Sequence, residues 1–237
     1  MPSSSSLPAS IGPPYTRVMS LPRTLVIGDV HGCISELDEL VRRFAPTADE
    51  RVVLVGDLVA KGPDSQAVVQ RCREAGWAAV LGNHDGKVLD CRFPRPDRSV
   101  PKAHHQRVAA TLIEDDWAWL DALPLHLDLD EHTSVVHGGA LPGVPLHEQE
   151  RDTLLCLRSI DDAGRPSQRV DGGRPWASLW PGPRHLVFGH DALRGLQRWP
   201  HATGLDTGCV YGKCLSGLVL PSGELIQVSA RHPYASI

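Results

Sequence analysis

The sequence contains no apolar stretch approaching the roughly 20 residues a helix needs to span a bilayer, because glycine, proline or a charge interrupts every hydrophobic run. A membrane-spanning helix is excluded. Basic surplus is also missing: 24 Lys and Arg stand against 28 Asp and Glu, a net charge of -4. General nucleic-acid binding is therefore not expected. Cysteine is sparse and dispersed at Cys33, Cys72, Cys91, Cys156, Cys209 and Cys214, without the paired short spacings of a structural zinc site or a dithiol redox motif. A soluble, reduced, cytoplasmic protein is the simplest expectation. The first residues, MPSSSSLPASIGPP, lack the basic region and apolar core of a secretory signal. Residues 1–22 read as a flexible N-terminal tail, with Met19 as an alternative start. The oligomeric state leaves no signal.

What is present is a chain of 237 residues, 41% hydrophobic and 22% charged, enough for a proper buried core. Thr24 to Ile27 predicts a buried strand reaching a tight turn at Gly28. Ile34, Leu37, Leu40, Val41 and Phe44 then recur at three- and four-residue steps, the pattern of an amphipathic helix packed on a sheet. Arg51 to Val55 repeats the strand pattern, Asp64 to Ala75 the helical one, and Ala78 to Leu81 supplies a third strand. This β-α-β-α-β series predicts an α/β fold with a largely parallel sheet in a domain over 23–237. Residues 93–123 read as an inserted helical cap around Trp117, Trp119 and Leu120. Later strands are expected at Ser134 to His137, Leu186 to Phe188, and in a closing hairpin, Leu215 to Leu220 and Glu224 to Val228. The polar, Gly-rich segment from Gly164 to Arg174 reads as a mobile loop.

Five predicted strands run into residues able to hold a metal: Gly28-Asp29-Val30-His31-Gly32, Gly56-Asp57, Gly82-Asn83-His84-Asp85, His137-Gly138-Gly139 and Gly189-His190. Open α/β sheets gather their ligands at the carboxyl ends of strands, so residues far apart in sequence can converge there. Any one of these, alone, is more often a turn residue or an ordinary hydrogen-bonded histidine; recurrence carries the inference. Carboxylate, amide and imidazole without thiolate suit two catalytic divalent ions, Mn²⁺, Fe, Co²⁺ or Zn²⁺. If Asp57 bridges them, the pair can activate a water and hold a phosphoryl oxygen, which is machinery for hydrolysing phosphate esters or anhydrides.

The ordered set GDVHG, GDLVAKGP, GNHD, HGG and GH resembles the calcineurin-like metallophosphoesterases of the phosphoprotein-phosphatase type, from about Arg23 to Val228. Within them, VLGNHD, FGHDALRGLQ and GLDTGCVYGKCLSGLVL resemble the diadenosine tetraphosphate hydrolases and ApaH-like phosphatases. The resemblance implies a four-layer α/β/β/α sandwich with a small helical cap. It implies that Asp29 and His31 bind one ion, that Asp57 bridges, and that Asn83, His137 and His190 complete the other, with Mn²⁺ the favoured activator. A shared hydroxide then attacks phosphorus in line, His84 is the general acid, and Lys61, Arg158 and Arg194 neutralise phosphate oxygens. The expected substrate is a dinucleoside polyphosphate, diadenosine tetraphosphate giving two ADP. A protein Ser/Thr or Tyr phosphatase, a polyphosphatase and a nucleotide-binding pseudoenzyme are the alternatives.

One departure is informative. Protein phosphatases of this type carry Asp-Arg where this chain has Ala60-Lys61, so the carboxylate partner of His84 is missing unless Asp85 or another acid substitutes. A nucleotide leaves as a stable anion and needs less protonation than a serine alkoxide, so Ala60 favours phosphoanhydrides. Tyr211, Trp176 and Trp180 could stack an adenine, although core packing is the commoner role for such residues. Asp206 is a candidate for orienting a metal-bound histidine. His104, His105 and the remaining histidines lack glycine-turn contexts and receive no catalytic assignment.

Overall fold

The computed structural model describes residues 22–96 and 99–236. The N-terminal tail and the alternative start at Met19 lie outside the described residues, apart from Pro22. In chain order the elements begin with β1 (Thr24–Ile27), α1 (Ile34–Phe44), β2 (Arg51–Leu54), α2 (Ser65–Glu74), β3 (Ala78–Ala79) and α3 (Asn83–Arg92). There follow α4 (Ala103–Ala109), α5 (Glu114–Asp121), β4 (His126–Asp128), β5 (Thr133–Val136), α6 (Arg151–Cys156), β6 (Ser159–Ile160), β7 (Pro166–Ser167) and β8 (Arg174–Pro175). The chain closes with β9 (His185–Phe188), β10 (Gln197–Trp199), β11 (Ala202–Gly204), β12 (Cys214–Leu220) and β13 (Glu224–Ser229).

All four residues of β1 are buried, which requires cover on both faces and makes it a central strand. The first sheet has the order β13-β12-β1-β2-β3. Its β1, β2 and β3 are parallel, while β12 runs antiparallel to β1 and pairs with β13 in the expected hairpin. A second sheet has the order β10-β11-β9-β5-β4, with β11, β9 and β5 parallel at its centre. Val26, Val53, Val55 and Val80 of the first sheet's strands and turns meet Val135, Val187 and Leu205 of the second in one apolar layer. Alternation explains this: Leu25 and Ile27, pointing the other way from Val26, pack instead on Leu37, Leu40 and Phe44 of α1. Opposite them, Trp176, Leu154 and Phe188 form a separate core on the second sheet. The α/β class holds, with two mixed sheets face to face in place of one largely parallel sheet.

Two expectations need correction. The segment 164–174 is not an unstructured loop: Ser159 and Ile160 of β6 pair with Ser167 and Pro166 of β7 on one side and with Pro175 and Arg174 of β8 on the other. Its main-chain carbonyls are held from outside, Ser159 Oγ donating to Val170 O at 3.1 Å and Arg158 to Gln168 O at 3.0 Å. The helical segment 93–123 divides its work. Trp117 and Leu120 of α5 belong to the main core, and Arg73 of α2 reaches the buried Asp116 carboxylate at 3.3 Å. Only α4 borders the site described next. No helix among the described residues is long and apolar enough to cross a membrane.

Candidate active site

β1, β2, β3, β5 and β9 all deliver their next few residues to one place: Asp29 and His31, Asp57, Asn83 and His84, His137, and His190. A sixth strand, β11, adds Asp206. These are carboxyl ends of strands from both sheets, as the parallel arrangement of each centre dictates. The turns are tight enough to be strained. Among the described residues, six non-glycines have left-handed backbone, and five of them are His31, Asp57, Ala60, Lys61 and His190. Such conformations persist only where surrounding structure enforces them, and they concentrate at functional sites. Close approach explains two glycines: a Cβ on Gly82 would lie 2.1 Å from Asp57 N, and one on Gly189 would lie 2.1 Å from Asp29 Oδ1.

Two sets of donor atoms lie within 4.8 Å of one another, His31 with Asp57 and His84, and Asp57 with His137 and His190. Asp57 belongs to both. Asn83 joins the second set, its Oδ1 lying 3.0 Å from His137 Nε2 and 2.8 Å from His190 Nδ1. Asp29 is buried beside them, with both carboxylate oxygens accepting the His190 backbone N–H at 3.1 Å. The donor set fits a pair of divalent cations on two observations. His31 Nδ1 and His137 Nδ1 are tied to the carbonyls of Val59 (3.0 Å) and Val55 (2.8 Å), the support that turns Nε2 of a ligating histidine inward. His137 Nε2, which keeps its lone pair when Nδ1 donates to Val55 O, and His190 Nδ1 converge on Asn83 Oδ1, three atoms with lone pairs that a cation between them would satisfy.

The electrostatics follow from this crowding. Burial works against the Asp57 carboxylate, but the imidazoles of His137, His84 and His31 outweigh it and hold its pKa well below the usual range. Burial lowers His137, yet the Asp57 and Asp29 carboxylates carry it up to about 9. Burial and the Lys61 ammonium push His31 down to about 3 against the pull of Asp57. Asp29 is raised by burial and by the facing Asp206 and Asp57. Lys61 adds a positive charge beside this group, its Nζ lying 3.1 Å from His31 Nε2.

A cavity of about 280 Å³ opens over these atoms, lined by Lys61, Arg158, Gln168, Asp206 and Tyr211 as well as by His31, Asp57, Asn83, His84 and His190. Arg158 is held there by bonds to the carbonyls of His190 (2.9 Å) and Gln168 (3.0 Å). Lys61 lies over the Tyr211 ring at 5.4 Å. Arg194 is different. Its guanidinium is spent on Asp191, Ser159 Oγ and the carbonyls of Arg158 and Val170, and it does not line the cavity, so the expected phosphate contact gives way to a scaffold role. Trp176 is core, and Trp180 donates to Arg184 O at 2.8 Å; neither reaches the cavity. Asp206 accepts from Gly208 N and lines the cavity itself, with no histidine hydrogen-bonded to it among the described residues. Asp85 does not replace the missing partner of His84, because its carboxylate accepts from the backbone N–H groups of Leu58, Val59 and Gly82. Sequence reasoning missed His105, whose ring lies against His84. Its only signal was a position on a short helix in the segment already read as covering the site.

Comparison with known proteins agrees with this geometry. The calcineurin-like phosphoesterase family profile matches residues 22–212. The chain is 31% identical to the symmetrical bis(5'-nucleosyl)-tetraphosphatase of Aromatoleum aromaticum, over 86% of this chain and 96% of that protein. It is 27% identical to the asymmetrical bis(5'-nucleosyl)-tetraphosphatase PrpE of Oceanobacillus iheyensis, over 88% and 93%. A crystal structure whose description proposes a diadenosine tetraphosphatase superposes with a TM-score of 0.80 at 38% identity, covering 89% of this chain and 94% of that one. A Saccharomyces cerevisiae protein serine/threonine phosphatase shares the fold at 17% identity and a TM-score of 0.61.

Proposed function

Because the chain belongs to the calcineurin-like phosphoesterase family and is a hydrolase of that kind, we propose that it cleaves phosphoanhydride bonds of dinucleoside polyphosphates, diadenosine tetraphosphate giving two ADP. The observation that carries this reading is the placement of Asp57 between the two histidines, Oδ2 lying 3.5 Å from His31 Nε2 and Oδ1 3.4 Å from His137 Nε2, beneath a cavity that also presents Lys61 and Arg158. Asp29 and His31 would hold one cation, Asn83, His137 and His190 the other, and Asp57 both. When bound, such a pair supplies Lewis acidity toward phosphoryl oxygens and a water acidified toward neutral pH. Manganese is the metal of this reading by the family resemblance; the donors, oxygens and imidazoles without thiolate, suit Fe, Co²⁺ and Zn²⁺ as well.

The remaining work falls to the chain. Lys61 and Arg158 face the cavity and neutralise the non-bridging oxygens of the polyphosphate. The N-terminal turn of α3, which carries Asn83 and His84, adds the positive end of its dipole to the same place. His84 stands across the cavity floor as the acid-side group facing the leaving oxygen. Tyr211 gives the cavity an aromatic wall beside Lys61, suited to a base or ribose. The six cysteines are all free, in keeping with a reducing, cytoplasmic setting.

Product analysis tests the reading. Diadenosine tetraphosphate and a phosphopeptide are offered in parallel to chelated protein resupplied with Mn²⁺, Mg²⁺, Co²⁺ or Zn²⁺. Two ADP supports it, ATP with AMP moves the cleaved bond, and phosphate released from the peptide alone overturns the substrate class.

A further inference from the structure

With Ala60 in place of an acid and Asp85 committed to backbone N–H groups, His84 has no carboxylate among the described residues on its inner nitrogen. Its Nδ1 lies instead 3.0 Å from Nε2 of the buried His105. Two imidazoles can share such a bond in either direction, so the pair alone leaves both tautomers open. The start of α4 closes the choice. The backbone N–H of Lys102 points at His105 Nδ1 at 3.2 Å, and an N–H donor requires a lone pair there. A neutral imidazole with its lone pair on Nδ1 carries its hydrogen on Nε2. His105 therefore donates to His84 Nδ1, and His84 keeps its own hydrogen on Nε2, the nitrogen left for the cavity that His84 lines. The same N–H argues against treating His84, His104 and His105 as a third metal site, although their nitrogens lie close enough: ligation through His105 Nε2 needs a lone pair on both of its nitrogens.

We propose that His105 is a positioning residue which, through the hydrogen-bond chain Lys102 N–H to His105 to His84, fixes His84 as a neutral Nε2–H donor to an anionic leaving group. The consequence concerns proton balance and rests on the reading of the site given above. When the P–O bond to the leaving nucleotide breaks, its electron pair stays on the phosphate oxygen, which is stable as an anion; His84 Nε2–H hydrogen-bonds to it and keeps its proton. An alkoxide would have to take that proton, and His84 could not recover it from His105, whose own Nδ1 faces an amide N–H. A carboxylate in the place of His105 has the opposite polarity: it accepts from Nδ1–H and supports a doubly protonated imidazole able to protonate an alkoxide. The His84–His105 pair thus selects phosphoanhydrides over serine phosphate.

The test uses protein loaded with diamagnetic Mg²⁺ or Zn²⁺ and ¹⁵N-labelled histidine. Long-range ¹H–¹⁵N spectra are expected to show His84 with hydrogen on Nε2 in the unaltered chain and in His105→Gln, whose amide both accepts from Lys102 and donates to His84. In His105→Leu the His84 signals are expected to become a tautomer mixture. Replacing His105 with Glu is expected to raise the rate on an alkyl phosphate relative to diadenosine tetraphosphate about tenfold, with Gln leaving the ratio near its original value. Hydrogen on Nδ1 of His84 in the unaltered chain, or an unchanged ratio in a folded Glu variant, overturns the inference. Failure of the site reading looks different: His84→Gln would then turn over diadenosine tetraphosphate at the original rate whatever the spectra show.

Discussion

The backbone N–H of His84 donates to Asp57 Oδ1 at 2.8 Å, so the carboxylate common to both donor clusters and the acid-side histidine are fixed to one another through the first turn of α3. Because Asp57 serves both clusters, its loss cannot be compensated by either. Asp57→Asn is expected to lower kcat/KM on diadenosine tetraphosphate by at least about 10²-fold and to reduce bound metal, measured by steady-state kinetics and elemental analysis on the same preparation. Full metal content with full activity would remove Asp57 from the centre.

Cation binding is expected to appear in stability without any substrate. A ligand that binds only the folded state stabilises it by about 2.7 kcal/mol at a hundredfold excess over its Kd. Mn²⁺ added to chelated protein should therefore raise Tm, and His137→Gln, which removes a buried nitrogen 3.4 Å from Asp57, should abolish most of the increase. An equal increase in that variant would place the binding elsewhere.

Arg158 and Arg194 should separate cleanly. Arg158 lines the cavity, and Arg158→Lys, which loses a bidentate fork, is expected to cost about tenfold in kcat/KM with a smaller change in Tm. Arg194 joins Asp191, Ser159 and Val170. Arg194→Ala leaves Asp191 buried without that partner and should cost about 2–3 kcal/mol in urea unfolding, while turnover of the protein that remains folded stays near its original value.

His105 also sets a pH dependence. Burial, with the neighbouring His104 and His84, lowers its pKa to about 3, against about 6.5 in an unfolded chain. As pH falls through 6.5 the unfolded state takes up a proton that the folded state refuses, so this group's contribution weakens with acid down to about pH 3. The His105→Gln variant lacks that slope. Urea midpoints at pH 7.5 and 5.0 should accordingly diverge less in the variant than in the original chain; equal divergence would show that His105 titrates normally.

Ala60 is buried with left-handed backbone, its N–H bonded to Ser65 Oγ at 2.9 Å. Asp tolerates that conformation better than most residues, so Ala60→Asp should fold and shift relative rates toward phosphoserine peptides. An unchanged ratio against diadenosine tetraphosphate would leave Ala60 without a part in substrate choice.

Periodicity and punctuation were enough to write down β1, α1, β2 and α2, because each repeats an apolar pattern that a half-covered helix or a buried strand must show. The glycine-flanked Asp, Asn and His residues declared themselves in the same way: a turn that brings backbone against an ion has little room for other residue types, and that restriction is local. The small sheet of β6, β7 and β8 escaped detection because its strands are two residues each, too short to show an alternating pattern, and Ser159 and Ser167 bond to nearby main chain. Arg158 and Arg194 look alike along the chain, and their different fates depend on which carbonyls and carboxylates surround each guanidinium after folding. The partner of His84 is the clearest case. That no acid stands at residue 60 can be read along the chain, since it is a matter of composition at one position. That an imidazole fills the role follows from folding alone, since the hydrogen bond joins residues 84 and 105 across a helix start, and its direction is set by a single main-chain amide that no residue type encodes.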